Sequence, residues 1–269
     1  MDREYLIQQI KENKSYLCVG LDTDIEKIPE HLRFNEDAVL QFNKQIIDAT
    51  KDLCVAYKIN TAFYEALGAK GWEVMEKTVQ YIPSTHFKIA DAKRGDIGNT
   101  SSQYARAFFE TIPFDAITVA PYMGSDSIKP FLNYKNKWTI VLGLTSNEGS
   151  KDFEQLRVND NHLFEEVIRK TCEWGTEDNL MFVIGATKAS DIASVRKIIP
   201  NHFLLIPGVG FQGGNLAEVS RYGLNMDCGI LVNVSRAIIY AGKKENFAKE
   251  ARAIALEYQT EMERHLSNL

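Results

Sequence analysis

The sequence predicts an α/β protein with a single (β/α)8 TIM barrel, and three observations support that prediction. The chain has 269 residues, which is close to the roughly 250 residues typical of such a barrel. Eight short apolar runs alternate with segments in which apolar residues recur at helical spacing. No G-x-G-x-x-G motif follows the first run, which argues against a doubly wound open sheet.

The eight predicted strands are apolar and β-branched without strict alternation, as is typical of parallel strands covered on both faces. They are Tyr16–Leu21, Cys54–Ile59, His86–Ala90, Ala116–Ala120, Trp138–Leu142, Leu180–Ile184, Phe203–Ile206 and Gly229–Val234. Helical periods lie between them, for example Val39, Phe42 and Ile46. No linker or low-complexity stretch interrupts this alternation, so we expect one barrel domain over residues 1–269.

Composition and charge argue against several classes of protein. The formal net charge is −5, so we expect no nucleic-acid partner, although a small anionic substrate needs only a local cationic pocket. No apolar run approaches the 18 or so residues of a membrane span, and the charged start does not resemble a signal core. The four cysteines are widely spaced without a C-x-x-C pair, which favours buried, reduced thiols and a cytoplasmic location.

Six of the eight predicted strands carry polar or glycine-rich segments at or directly after their C-terminal ends, where barrel enzymes place their chemistry. In strand order they are Asp22, Lys58, Asp91 with Lys93, Ser146 with Asn147, Pro207–Gly210, and Ser235 with Arg236. Each alone has an ordinary explanation, such as a helix cap or a lysine that extends to solvent. Together they predict a functional site at this face. The strand beginnings carry Asp115, Lys137 and His202, which we expect to be solvated positions.

The sharpest motif is D-x-K-x-x-D, formed by Asp91, Lys93 and Asp96. While the chain stays extended, Asp91 and Lys93 point the same way because they are two residues apart. A polar surface loop with a helix cap at Thr100 or Ser101 is the alternative, but it does not explain the lysine on the adjacent strand. Alternating Lys and Asp charges would keep one another ionised despite burial, since each opposite charge offsets desolvation.

The second motif consists of PGVGFQGG, which begins at Pro207, and VSRA, which begins at Val234. Loops after the seventh and eighth strands of a barrel commonly form a phosphate site. Glycines let backbone N–H groups approach phosphate oxygens, and a helix that starts near Arg236 would add its positive end. The Arg236 guanidinium can also contact phosphate in a bidentate manner. A glycine-rich turn beside a surface arginine is the ordinary alternative for either half alone.

These motifs together resemble the orotidine 5'-phosphate decarboxylase family, most closely its longer bacterial subgroup. The resemblance extends from Leu17 to Ala241 and comprises, in order, GLD, YKIN, DAKRGDIGNT, PGVGFQGG and VSRAIIYA. D-x-K-x-x-D alone is shared with a wider superfamily of phosphosugar barrels, whereas the I-x-x-T continuation and the PGVGxQGG loop are more specific. The resemblance implies a homodimer that decarboxylates orotidine 5'-monophosphate (OMP) to UMP without a metal or cofactor.

The resemblance also implies roles for residues at matching positions. Asp22 and Lys58 would contact the ribose hydroxyls, and Lys58 would also join a charge network. Asp91 would lie beside the substrate carboxylate. Lys93 would donate a proton to C6 of the pyrimidine.

The remaining implied contacts concern the neighbouring subunit, the pyrimidine and the phosphate. Asp96, Ile97 and Thr100 would reach across a dimer interface into the other site. Ser146 would hydrogen-bond the pyrimidine, although Glu148 stands where related chains often carry proline. Further substrate contacts would come from Pro207, Gly213 and Ser235, and phosphate contacts from Gln212 and Arg236.

Three other functions can be weighed against this one. A keto-gulonate-phosphate decarboxylase or hexulose-phosphate synthase would use D-x-K-x-x-D with a divalent metal and an enediolate, but the I-x-x-T continuation and Gln212 argue against it. A binding-only barrel would require a broken lysine–aspartate set, whereas the whole set is present. A histidine metal site is disfavoured because the five histidines are scattered and His86 and His202 fall at strand beginnings, the wrong end of the barrel.

Overall fold

Eight parallel strands form a closed barrel in the computed structural model, which describes residues 1–186, 189–210 and 213–269. In chain order the strands are β1 (Leu17–Gly20), β2 (Ala56–Asn60), β3 (Phe87–Arg94), β4 (Ala116–Val119), β5 (Trp138–Leu144), the hairpin strands β6 (Arg157–Val158) and β7 (Asn161–His162), β8 (Leu180–Ile184), β9 (Phe203–Pro207) and β10 (Ile230–Val234). The barrel runs in sequence order, omits the hairpin, and closes where β10 pairs with β1. The predicted (β/α)8 fold is confirmed.

Helices cover the outside of the barrel. They are α1 (Arg3–Asn13), α2 (Glu30–Arg33), α3 (Ala38–Thr50), α4 (Ala62–Glu65), α5 (Gly68–Tyr81), α6 (Gly98–Arg106) with a π-helical turn (Ala107–Thr111), α7 (Ser125–Leu132), a 3-10 turn (Glu148–Asp152), α8 (Leu163–Cys172), α9 (Ala189–Ile198), α10 (Leu216–Gly223), α11 (Arg236–Ile239) and α12 (Phe247–Leu266). The periodic residues Val39, Phe42 and Ile46 of α3 are buried, as predicted. Within the described ranges, no helix is both long and apolar enough to cross a bilayer.

Aromatic side chains fill the N-terminal end of the barrel. Phe87, Trp138 and Phe203 begin β3, β5 and β9, and all three are fully buried. The Trp138 ring meets each phenyl ring edge-on, with centroids 6.0 Å apart in both pairs. A layer built from alternate strands is the usual packing of a (β/α)8 interior. Aromatic side chains therefore fill the barrel interior at this end.

Helix α1 covers the beginnings of the strands, so the expectation that they are solvated is wrong. The buried Arg3 side chain donates hydrogen bonds of 2.7 Å to the carbonyls of Glu177 and Asn201. Asp115 accepts a 3.0 Å hydrogen bond from a β3 backbone N–H and is largely buried. Burial lowers the pKa of Lys137, which is half-buried and donates to a backbone carbonyl. These polar side chains therefore bind backbone groups at the covered end of the barrel.

Candidate active site

Four of the predicted site residues are joined by ion pairs at the C-terminal mouth. Lys58 on β2 is buried, with 5% of its side chain exposed, and its Nζ lies 2.9 Å from Asp91 Oδ2 and 3.3 Å from Asp22 Oδ1. Lys93 Nζ lies 2.5 Å from the other carboxylate oxygen of Asp91, Oδ1. The carboxylate of Asp91 is thus shared by two ammonium groups. These residues meet because the C-terminal ends of neighbouring parallel strands lie at one edge of the barrel.

The charges in this network hold one another ionised. Burial by itself raises the pKa of Asp91, but the charges of Lys58 and Lys93 outweigh it and hold that pKa well below its ordinary value. Burial also lowers the pKa of Lys58, yet the carboxylates of Asp22 and Asp91 outweigh it and leave that pKa well above its ordinary value. At neutral pH the site therefore presents fixed charges of both signs.

The backbone at Lys93 differs from the sequence-based expectation. Lys93 has φ of 47°, in the left-handed region, so the expectation of an extended chain through this residue is wrong. Ala90 pairs with Ile117, and the next pair joins Arg94 to Val119. Three residues of β3 therefore face one residue of β4, which is a β-bulge. The Lys93 side chain reaches the Asp91 carboxylate because the strand bulges at this point.

Among the described residues, those that continue the D-x-K-x-x-D motif are not part of the lysine–aspartate network of their own chain. Asp96 Oδ1 accepts a 2.7 Å hydrogen bond from the Ile97 N–H, and no ion pair joins Asp96 to a lysine among the residues that the structure describes. Ile97 is 58% exposed. Thr100 is also exposed, in the first turn of α6. The structure therefore does not bring these three residues together with Lys58, Asp91 and Lys93.

A small polar pocket of about 150 Å³ opens beside the network. It is lined by Asp22, Lys58, Asp91, Pro207, Gly208, Val209, Asn233, Val234, Ser235, Arg236 and Ala237. A larger, more open groove of about 890 Å³ lies between α2 and the segment before α12, but the lysine–aspartate network is not part of it. Arg236 is exposed and begins α11, which has only four residues. The small pocket thus joins two of the sequence motifs, the charge network and the segment after β10.

The glycine-rich loop after β9 is closed by its own backbone. The Gly210 N–H donates to the Gly214 carbonyl at 3.0 Å, and the Gly213 N–H donates to the Gly210 carbonyl at 2.9 Å. Gly210 has φ of 81°, and a β-carbon there would lie 2.4 Å from the Tyr258 hydroxyl of α12. The left-handed backbone favours glycine at this position, and any β-carbon would also displace the Tyr258 hydroxyl. The predicted phosphate contact Gln212 lies outside the described residues.

Ser146 lies at the end of β5 and not on the wall of the small pocket. It packs against Gly185, where a β-carbon would meet Ser146 atoms at 2.9 to 3.0 Å. The adjacent Thr145 hydroxyl donates to the Glu154 carboxylate at 2.9 Å, which ties down the loop that follows β5. The predicted contact Ser146 is therefore not brought to the wall of this pocket.

Two polar residues that the sequence analysis passed over lie inside the barrel mouth. Thr118 on β4 is fully buried beside Asp91, and Asn233 on β10 lines the pocket with 7% of its surface exposed. Asn233 Oδ1 has no hydrogen-bond partner within the described ranges. The signal for both is a polar residue inside an otherwise apolar strand, since such a residue requires a partner.

A parallel barrel with an ionised lysine–aspartate network at its C-terminal mouth, beside a glycine-rich loop after the seventh barrel strand, defines a (β/α)8-barrel enzyme. The family model described as "Orotidine 5'-phosphate decarboxylase / HUMPS family" matches residues 15–251. The chain belongs to this family.

Individual relatives agree with that assignment. A Phocaeicola vulgatus protein named orotidine 5'-phosphate decarboxylase, a carboxy-lyase, is 57% identical over 268 residues, which cover 98% of each chain. The solved Leishmania donovani OMP decarboxylase is 36% identical, with a TM-score of 0.82 over 97% of this chain and 100% of that one. A putative Toxoplasma gondii orotidine-monophosphate-decarboxylase is 33% identical, with a TM-score of 0.85 over 97% and 98% of the two chains. The resemblance found in the motifs is confirmed.

Proposed function

We propose that this chain decarboxylates OMP to UMP and carbon dioxide, the last step of de novo UMP synthesis, without a metal or organic cofactor. The observation that carries this proposal is the chain of ion pairs Lys58–Asp91–Lys93 at the barrel mouth. In this chain the Lys93 ammonium is held by the Asp91 carboxylate, while about half of the Lys93 side chain remains exposed. The names of the relatives point to the same reaction.

The chemistry requires a fixed cation at the reacting carbon. Loss of CO2 breaks the bond between C6 and the carboxylate carbon and leaves the electron pair on C6. No adjacent carbonyl is arranged to delocalise that pair, so the enzyme must lower the barrier by on the order of 20 kcal/mol. In our proposal the Lys93 ammonium stabilises the developing charge and then transfers a proton to C6. The Lys93 amine regains its proton from solvent.

Asp91 has two roles in this proposal. Its carboxylate holds the Lys93 ammonium at 2.5 Å, so the cation does not reorganise during the reaction. The same carboxylate, kept ionised by two lysines, would lie beside the substrate carboxylate. Repulsion between the two carboxylates is relieved when CO2 leaves.

The rest of the substrate would extend along the pocket from the charge network to the glycine-rich loop. Asp22 and Lys58 would contact the ribose hydroxyls, and Ser146 the pyrimidine. The phosphate is remote from the bond that breaks, but its binding energy can still lower the barrier to the chemical step. Its proposed contacts, with the adjacent substrate contacts, are Pro207, Gln212, Gly213, Ser235 and Arg236.

A homodimer completes the proposed site. Among the described residues, Asp96, Ile97 and Thr100 lie outside the network of their own chain, and Ile97 and Thr100 are exposed, so in our proposal they contact the site of the neighbouring subunit. Exposed apolar side chains accompany them: Tyr122 is exposed, and Met123 Cε lies 3.4 Å from the β-carbon position of Gly95. An exposed apolar patch at the mouth of the barrel is the kind of surface that a partner subunit covers.

The proposed dimer face can be tested by a charge at its centre. Ile97→Glu is expected to weaken dimerisation at least tenfold, because a carboxylate would be buried in an apolar interface. Sedimentation velocity over a range of concentrations measures this. The matched control is Phe34→Glu, at a residue that is 87% exposed and directly follows α2, which should leave the dimer unchanged. Equal behaviour of the two variants would place the interface elsewhere.

The reaction itself is tested by the ultraviolet absorbance change of OMP with purified protein and excess EDTA. We expect fast conversion to UMP that the chelator does not affect. Conversion that EDTA abolishes, or turnover of a sugar phosphate that lacks a base, would instead indicate a metal-dependent enzyme of the same superfamily. UMP binding without any turnover of OMP would indicate a binding protein.

Arg236→Ala is expected to weaken UMP binding roughly 10- to 100-fold and uridine binding by less than about threefold, because only UMP presents a phosphate to the guanidinium. Inhibition constants for the two ligands measure this difference. Arg264→Ala, at an exposed position near the end of α12, is the control and should change neither constant. If both ligands lost affinity equally, Arg236 would not belong to the phosphate site.

A further inference from the structure

We propose that Thr118 is a positioning residue for the proton transfer: its hydroxyl holds both the backbone of Lys93 and one oxygen of Asp91. This inference rests on the proposed function and deepens it. Thr118 lies on β4 and is fully buried, so no part of its surface is available for direct contact with a substrate. Its action passes through the two residues that it binds.

The first contact is with the backbone. The bulge in β3 interrupts the regular pairing with β4 between Ala90 and Arg94. The pairing resumes at Arg94, whose carbonyl accepts a 2.9 Å hydrogen bond from the Ala120 N–H. Inside the bulge, the Lys93 N–H donates to Thr118 Oγ1 at 2.9 Å. The side chain thus takes the place of a ladder hydrogen bond and stabilises a left-handed conformation that is costly for a lysine.

The second contact is with the carboxylate. The Thr118 hydroxyl donates to Asp91 Oδ1 at 3.0 Å, and this is the oxygen that Lys93 Nζ approaches at 2.5 Å. Lys58 binds the other oxygen, Oδ2. Each oxygen of Asp91 therefore has its own set of donors, and rotation of the carboxylate would break contacts on both sides. Lys93 is held at its backbone directly and at its ammonium through Asp91.

The hydroxyl is what distinguishes Thr118 from a packing residue. Valine has nearly the same shape and an equally high strand propensity, and a buried hydroxyl is unfavourable unless it is hydrogen-bonded. Thr139 on the neighbouring β5 offers a contrast within the same barrel. It is also fully buried, but its Oγ1 has no hydrogen-bond partner within the described ranges. A comparison of the two threonines therefore distinguishes the effect of a hydroxyl that is bonded to the network, that of Thr118, from the effect of a buried hydroxyl that is not, that of Thr139.

The test compares Thr118→Val with Thr118→Ser, and uses Thr139→Val as the matched control. Loss of the hydroxyl is expected to lower kcat for OMP roughly 10- to 100-fold with KM within about threefold, since hydrogen bonds to a charged group are lost while substrate contacts remain. Serine should restore kcat to within about threefold, and the control should match wild type. An unchanged kcat in Thr118→Val, with active wild-type enzyme, would overturn the proposal.

Two further measurements distinguish the proposed role of Thr118 from a general loss of stability and test it independently of OMP turnover. Thr118→Ala and Thr118→Ser differ by one hydroxyl, so their comparison serves if the valine variant does not fold. Backbone amide exchange of Lys93, measured without substrate on protein labelled with 15N-lysine, should be at least about tenfold faster in variants without the hydroxyl. Equal exchange in alanine and serine variants would overturn the assignment. A wild type without OMP turnover would overturn the proposed function, and the exchange result would still stand.

Discussion

Lys93→Ala is expected to lower kcat for OMP by roughly 10⁴-fold or more while the protein remains folded. The variant loses both the cation that stabilises charge at C6 and the proton donor, and each contributes several orders of magnitude in comparable enzymes. The fold should survive because the Lys93 side chain is 49% exposed and its ion pair with Asp91 is at the mouth of the barrel. The ultraviolet assay gives kcat, and thermal unfolding reports the fold.

The control for this prediction is Lys77→Ala, which removes another lysine whose ammonium forms an ion pair, with Glu73 on the surface of α5. Its activity should equal that of the wild type. Activity of Lys93→Ala within tenfold of wild type would remove Lys93 from the role of proton donor. Loss of activity together with loss of the folded state would instead assign Lys93 a structural role.

Asp91→Ala is expected to have the largest effect on stability, about 3 kcal/mol in the free energy of unfolding. Removal of one partner from a buried ion pair leaves the other charge uncompensated, which typically costs 3–5 kcal/mol. Among the described residues, Lys58 would keep one carboxylate partner, Asp22, at 3.3 Å. Urea unfolding followed by circular dichroism measures the change. Asp48→Ala, which breaks an exposed pair with Lys51, is the control and should cost less than about 1 kcal/mol.

The same variant should respond differently to acid. The pKa of Asp91 is lower in the folded protein than its ordinary value of about 3.9. Its contribution to stability is therefore present above about pH 4 and is lost as the pH falls through the folded-state pKa. The difference in unfolding free energy between wild type and Asp91→Ala should narrow below pH 4. A difference that stays constant down to pH 2 would show that the stabilisation is not electrostatic.

Much of the site could be predicted from the sequence because parallel strands in a barrel end at one face. Once the apolar runs were assigned to strands, Lys58, Asp91 and Asp22 had to meet at the mouth, and they do. The position of Ser146 was harder to predict, because it depends on the path of a long loop after β5. The arrangement of Asp96, Ile97 and Thr100 depends on a second chain, so their role stays a prediction.

The sequence by itself determined the order of the strands, the edge of the barrel that carries the polar groups, and the family. These depend on apolar periodicity and on short motifs, which are local along the chain. Tertiary structure alone decided the bulge at Lys93, the burial of Thr118 against Asp91, and the covering of the strand beginnings by α1. Each of these depends on register or contact between segments far apart in sequence, and the free energy of such contacts is not encoded in any one segment.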